Sequence, residues 1–268
     1  MQHPPALHPA LPPDNQPLAC PAVLKMALSE YFIRYLKLRD ELSADDLARL
    51  RAIPTEARSF DNGQTLVAAD VETDRSCLVL RGMAGRVHVL PGRIVQRVIS
   101  ALHVPGDFMD LHGFVLSSLD ESIVAFGSVE VEFVAHVHLR ELTRHYPHLT
   151  RLLWMTTAID AAIHRQWIVA ANALRSSAHL AHLLCELYTR LAAVGAARDY
   201  HMTLPLLQRE LASILGYSSI HINRAVRDLR DRKLLRWAGT EVQLLDWAGL
   251  VRLARFDPGY LDLERKRR

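Results

Sequence analysis

Three cysteines in 268 residues, Cys20, Cys77 and Cys185, are too few and too far apart for a disulfide framework, and they form no CxxC pair or other short metal-ligand spacing. A reducing cytoplasm is the compartment this usage fits. Long apolar runs are missing too: no window approaches the roughly 18 uninterrupted apolar residues of a membrane span. The N-terminus MQHPPALHPALPPDNQPLACP has neither the basic start nor the apolar stretch of a secretory signal. Seven of the 13 prolines fall in its first 21 residues, where they prevent regular helix, so residues 1–24 read as a disordered leader. A strong charge of either sign is also absent, the total being only +3.

What is present is an ordinary globular composition, 50% hydrophobic and 23% charged, in a chain long enough for two modest domains. The small total charge hides a gradient: residues 1–150 sum to −4, residues 151–200 to +2 and residues 201–268 to +5. The basic excess of the last quarter makes it a candidate nucleic-acid surface.

The spacing predicts a helix over Ala27–Arg39, with Tyr31, Phe32, Tyr35, Leu36 and Leu38 on its apolar face. A second short helix is capped by Ser43 and turns Leu47 and Leu50 inward. Between Arg58 and Val137 the pattern changes to short strands broken by turn signals: DNG at 61–63, RGMAG at 81–85, PGR at 91–93 and PGD at 105–107. The strands read as Thr65–Ala68, Cys77–Arg81, Gly85–Leu90, Ile94–Leu102, Ser122–Ala125 and Val129–Ala135, a sandwich or jelly roll. After Pro147 a helical pattern runs to Arg175 without glycine or proline. Leu149, Leu152, Met155 or Thr156, Ile159 and Ile163 recur on it at steps of three and four, with Ala170 resuming the stripe. A helix of about 27 residues is roughly 40 Å long, more than one small domain needs, so the stripe is assigned to a dimer interface; packing on the β unit is the alternative. Ser176 and Ser177 are caps for a further helix, Ala178–Val194, closed by Gly195, which makes His179, His182 and Cys185 helix surface or core rather than ligands.

Residues 203–236, TLPLLQRELASILGYSSIHINRAVRDLRDRKLLR, have the spacing of two short helices crossing through a tight turn. Thr203 is placed as the first cap, with Pro205 early in the helix and Leu211, Ala212 and Leu215 inside. Gly216 makes the turn and Ser218 caps the second helix. That helix buries Ile222, Val226 and Leu229 and leaves Ser219, Ile220, Asn223, Arg224 and Arg227 on or beside the other face. Its N-terminal half is the part that enters a major groove. Arg224 and Arg227 suit guanine edges or phosphates, Asn223 suits adenine and Ile220 a thymine methyl. Leu234, Leu235, Trp237, then Ala238–Gly239–Thr240, then Val242, Leu244 and Leu245 read as a hairpin where a winged helix carries its wing. Asp246–Ala254 adds a last short helix.

With those segments in order, the chain resembles the Crp/Fnr family of bacterial transcription regulators over residues 30–255. The strongest stretches are QRELASILGYSSIHINRAVRDLR at 208–230 and VPGDFMDLHGF at 104–114, with AAIHRQW at 161–167 in support. The resemblance implies an α+β protein. A leader at 1–24 precedes a cyclic-nucleotide-binding-like jelly roll at 25–146. A dimerisation helix at 147–175, bearing Leu149, Leu152, Ile159 and Ile163, leads to a winged helix-turn-helix at 176–255 and a basic tail at 256–268. It implies double-stranded DNA and a second copy as partners, with RNA polymerase added if the protein is an activator, and no catalytic residues. Gln208 and Ser218 align with phosphate-contacting positions, Thr203 more weakly, and His221 stands where it can join them. The family's Arg-Glu-x-x-x-Arg recognition pattern is reduced here, Ser219 and Ile220 replacing its first two members and Arg224 remaining, so the target sequence does not transfer.

The family's cyclic-AMP sites use a Gly-Glu-Leu turn and an Arg-Ser pair; here Asp110–Leu111 and Glu121–Ser122 stand in those places. An acid where a cyclic phosphate needs a cation repels it, so cyclic AMP is not expected to bind in that manner. Three scattered cysteines cannot hold the iron–sulfur cluster of the family's oxygen sensors. Haem stays open, with His103, His112, His145, His148 and His164 as candidates by residue type alone, and no cofactor or metal is assigned. A competing reading, a jelly-roll metal enzyme, rests on His136, His138 and Glu141; their spacing is short, no second motif follows, and the segment leaves a strand for a helix. A third reading is a ligand-binding or interaction module without DNA contact.

Overall fold

The computed structural model describes residues 24–90, 96–116 and 118–267, so the proposed leader, apart from Leu24, and the PGR turn at 91–93 lie outside the described residues. A short strand β1 (Leu24–Ala27) pairs with β2 (Pro54–Phe60), and between them lie α1 (Glu30–Lys37) and α2 (Ala44–Arg51). The first helix is shorter than its apolar pattern suggests. Ala27 is spent on the β1–β2 ladder opposite Pro54, and Ser29 caps the helix by accepting from the Tyr31 N–H. Ser43 caps α2 as expected, with Asp46 reaching back to its backbone in a reciprocal box.

The β unit is one antiparallel sheet ordered β1-β2-β6-β4-β5, with β3 (Thr65–Val67) also paired to β6. Two long strands, β4 (Arg75–Leu90) and β6 (Ser122–Ala135), replace the four short ones expected on either side of RGMAG and of residues 126–128. The ladder shifts register between Val79 and Met83 instead of ending, and Gly82 at φ +84° carries the irregularity. A Cβ on Gly82 would lie 2.3 Å from the Ser128 carbonyl oxygen, so the glycine marks a close strand approach, not a turn. The fourth expected strand is β5 (Gln96–His103). Alternation along β4 serves two cores: Cys77 and Val79 join Met109, Ile123 and Val131 inside the β unit, while Leu78 and Met83 face the helices.

Three helices follow: α3 (His136–His145), the 27-residue α4 (Pro147–Ala173) and α5 (Ser176–Val194), which ends on Gly195 in the left-handed region. The stripe assigned to a dimer partner is consumed within the chain. Leu149 and Leu152 are 1% and 0% exposed, Ile159 and Ile163 6% and 8%, because α4 lies against α3, α5, the turn at Leu111–Phe114 and a last turn at Pro258–Leu261. Those four residues are core residues. Two positions on, about 200° around the helix, a second series keeps the three-and-four rhythm in the open: Arg151, Trp154, Ala158, Ala161, Arg165, Ile168 and Asn172. Trp154 is 73% and Ile168 64% exposed.

The C-terminal unit contains β7 (His201–Thr203), α6 (Gln208–Leu215), α7 (Ser219–Asp231), β8 (Leu235–Ala238), β9 (Glu241–Leu244) and α8 (Trp247–Ala254). Thr203 and Pro205 do not begin α6. Thr203 ends β7 opposite Glu241, and the Leu204 N–H goes to the Thr240 carbonyl, so this stretch is the third strand of the wing sheet. Helix α6 starts at Gln208 instead, where Glu210 accepts from the Leu207 N–H at 2.6 Å. Ser176 and Ser177 are not side-chain caps of α5, whose cap position is Arg175. Residues after 255 are not wholly a solvated tail either: Phe256 and Leu261 are buried, and Arg39 donates to the Leu261 carbonyl at 3.0 Å.

Candidate nucleic-acid interface and sensory region

Helix α7 sits on α6 through Ile222, Ala225, Val226 and Leu229, all buried, against Leu211, Ala212 and Leu215. The turn between the helices needs Gly216 at φ +71°, where its N–H closes on the Ala212 carbonyl. Ser218 caps α7 with its hydroxyl oxygen, 3.4 Å from the His221 N–H, and lies 2.7 Å from His221 Nδ1. With one face fixed, Ser219, Ile220, Asn223, Arg224 and Arg227 are all exposed, and Gln208 and His221 are exposed beside them. Ile220 is 64% exposed, an apolar side chain placed in water at the exposed end of a polar helix. Farther along, Arg230 donates to the Trp237 carbonyl and so ties α7 to the wing, while Arg232 pairs with Asp228 one turn back at 2.9 Å. Val242 is fully buried and Trp237 nearly so under the hairpin, and Gly239 makes its tip at φ +59°. Arg209 and Arg236 are also exposed on this unit, and the sequence pattern alone assigned neither a role.

The reading unit touches the sheet. Ser213 on α6 accepts from the Ile99 N–H at 3.2 Å and donates to the Arg97 carbonyl at 2.7 Å, both on β5. A second tie is ionic: Arg190 on α5 reaches Asp107 at 2.6 Å, Glu186 at 3.0 Å and the Leu102 carbonyl at 2.8 Å. Glu186 in turn accepts from Trp167 Nε1 on α4 and from the Tyr260 hydroxyl, so three helical segments meet at one buried carboxylate. Nothing in the sequence announces this hub, whose bonded partners are 4 to 88 residues apart along the chain.

The four candidate effector residues do not form one pocket. Asp110 is buried, and its Oδ1 accepts from the Cys77 N–H at 2.5 Å; burial raises its carboxyl to about 7. Leu111 is in the core and Ser122 accepts from the Ala69 N–H. Only Glu121 meets other charges. Its Oε1 is 3.5 Å from His112 Nε2 and 3.3 Å from Arg86 Nε, and these partners, His112 foremost, hold its carboxyl down at about 2. Arg86 continues to Asp160 on α4 at 2.8 Å. The adjoining cavity, lined by His103, Asp107, Asp160 and Arg190, has about 30 Å³, room for a water molecule.

Of the histidines considered for haem, His112 and His164 stand at the two ends of the Glu121–Arg86–Asp160 chain, and His103 is buried near them with Nε2 unpartnered, burial holding its ring well below the usual range. His148 bonds Asp46 at 3.0 Å and His145 is exposed, both away from that group. The metal-enzyme triad is broken up by α3. His136 is buried on Ser76 at 3.0 Å, while His138 and Glu141 follow on a helix, where residues two apart diverge by about 200°.

The chain is a sheet domain joined by a long helix to a winged helix-turn-helix. Residues 178–253 match the Crp-like helix-turn-helix domain. The chain is 24% identical over 212 residues to the transcriptional regulatory protein btr of Bordetella pertussis, covering 79% of this chain and 86% of that one. To the transcriptional activator protein FnrA of Stutzerimonas stutzeri it is 25% identical, covering 80% and 86%. Its fold is that of FixK2 from Bradyrhizobium japonicum, with a TM-score of 0.66 at 21% identity over 74% of this chain and 96% of that one. The chain therefore carries a Crp-like helix-turn-helix domain and is similar over most of its length to transcription regulators.

Proposed function

We propose that the protein binds a pseudo-palindromic DNA site as a homodimer in the cytoplasm, with two copies of α7 in successive major grooves about one helical turn apart. The observation that carries this is the start of α7, where Ser219, Ile220, Asn223, Arg224 and Arg227 are exposed over a buried Ile222–Val226–Leu229 face. Gln208, Ser218 and His221 contact phosphates and set register, while Asn223 and Arg224 read base edges. The second copy docks along the exposed series of α4 from Arg151 to Asn172, whose heptad rhythm suits a two-helix seam. RNA polymerase is a further partner if the protein activates transcription. The described helices offer no membrane span.

The effector is not cyclic AMP held in the family's manner. By the resemblance Glu121 takes the place of the phosphate-neutralising arginine, and Arg86 is already shared between Glu121 and Asp160. Calorimetry should detect no micromolar cyclic-AMP binding; binding that Ser122→Ala removes would overturn this reading. DNA binding is tested by gel retardation with the region upstream of the protein's own gene. Arg224→Ala should weaken specific retardation by roughly tenfold to a hundredfold, the worth of one base-reading arginine, with the dimer intact. Unchanged retardation would remove α7 as the reading helix.

A further inference from the structure

At the edge of the sheet where β6 begins, three side chains from two strand ends converge: His88 of β4 and Asp120 and Glu121 just before Ser122. One ligand atom from each lies within 4.8 Å of the others. Arg86 and His88, two residues apart, point to the same face of β4, so Glu121 reaches between them. His88 is held in place by its Nε2, 3.0 Å from the Ser100 hydroxyl on β5, and His112 approaches the same Glu121 from the turn at Leu111–Phe114. The set is mixed, one imidazole and two carboxylates, and its graded burial runs from Glu121 inside through His88 to Asp120 in solvent. Ligand atoms around a first-row metal at about 2.1 Å bond lengths are spaced roughly 3 to 4 Å, so the three side chains, now within 4.8 Å of one another, would close in by up to about 1–2 Å to hold one. Two adjacent carboxylates brought together carry a repulsion that a dication relieves.

We infer that His88, Asp120 and Glu121 form a binding site for a divalent first-row transition metal in the sensory domain, with solvent completing the coordination. Nitrogen and oxygen donors together favour Zn²⁺, Fe²⁺ or Mn²⁺ over the all-oxygen preference of Ca²⁺. The position has reach. Glu121 also holds Arg86, and Arg86 holds Asp160, so a cation drawing on Glu121 acts on α4 through two ion pairs. That helix leads toward the reading unit.

The test is isothermal titration of the full-length, metal-stripped protein with Zn²⁺. One Zn²⁺ should bind per chain. His88→Ala and Asp120→Asn should each weaken binding roughly tenfold or more, while His145→Ala, at an exposed histidine elsewhere, leaves it unchanged. Asp120 is exposed, so its variant should melt with the parent and keep the test meaningful if His88→Ala folds poorly. Absence of stoichiometric binding, or affinity unchanged in both variants, would overturn the site. Neither result depends on DNA, so the outcome is separable from that of the retardation experiment.

Discussion

Single side chains in this protein are most informative where charge is buried. Glu132 is fully buried in β6, accepting from the Ser29 N–H at 2.8 Å and the Thr55 hydroxyl at 2.9 Å, and among the described residues no ion pair is made to it. Burial raises its carboxyl from 4.5 to about 7. A folded state that holds this proton more tightly than the unfolded chain gains stability that is complete below about pH 4.5 and is lost as pH rises through about 7. Glu132→Gln cannot titrate but keeps an acceptor for Ser29, so its Tm advantage over the parent should grow between pH 5 and pH 8. A difference in Tm that is flat across that range would rule this out. Glu121, equally out of water, behaves oppositely because His112 and Arg86 stand against it.

Among the elements, two glycines show how different reasons produce the same residue. Gly216 and Gly82 both have φ between +70° and +85°, which side chains disfavour. A Cβ on Gly216 would meet nothing within 4 Å, whereas on Gly82 it would strike the Ser128 carbonyl oxygen. Gly216→Ala should therefore cost about 1–2 kcal/mol, the backbone term alone, and Gly82→Ala clearly more. Urea unfolding midpoints of the two variants decide it; equal losses would mean that the strand approach at Ser128 relaxes freely. The turn between α6 and α7 was legible because a helix–turn–helix spacing frames it. The Gly82 irregularity was not, because a glycine inside a strand and a glycine in a turn look alike in sequence.

For the whole molecule the decisive element is α4, which buries one apolar face and exposes Trp154 and Ile168 among polar residues on the opposite one. Leu152 is fully buried within its own chain and Trp154 is 73% exposed, although they are neighbours on one helix. Leu152→Ala should cost roughly 2–5 kcal/mol of stability by opening a cavity, and leave the assembly state of the folded protein unchanged. Trp154→Ala should do the reverse, shifting sedimentation toward monomer with little change in the monomer's melting. A dimer that survives Trp154→Ala and Ile168→Ala together would place the seam elsewhere. Specific DNA affinity should also fall steeply with salt, as phosphate contacts require. The charge gradient, −4 to +5 along the chain, is consistent with that reliance on the C-terminal unit.

Much of this protein follows from local pattern alone. Helix periodicity, the caps at Ser43 and Ser218, the turn at Gly216 and the hairpin at Gly239 are contests between a residue and its near neighbours, and each can be judged from a few positions. The exposed face of α7 was legible for the same reason, since a short amphipathic helix has one polar side. Tertiary structure decided what depends on distant partners: which of the two faces of α4 meets the core, that β7 completes the wing sheet, and that Phe256 and Leu261 are buried. It also brought His88, Asp120 and Glu121 together and placed Arg86 between Glu121 and Asp160. Those arrangements are set by strand register and helix docking across tens of residues, and a one-dimensional pattern carries no record of either.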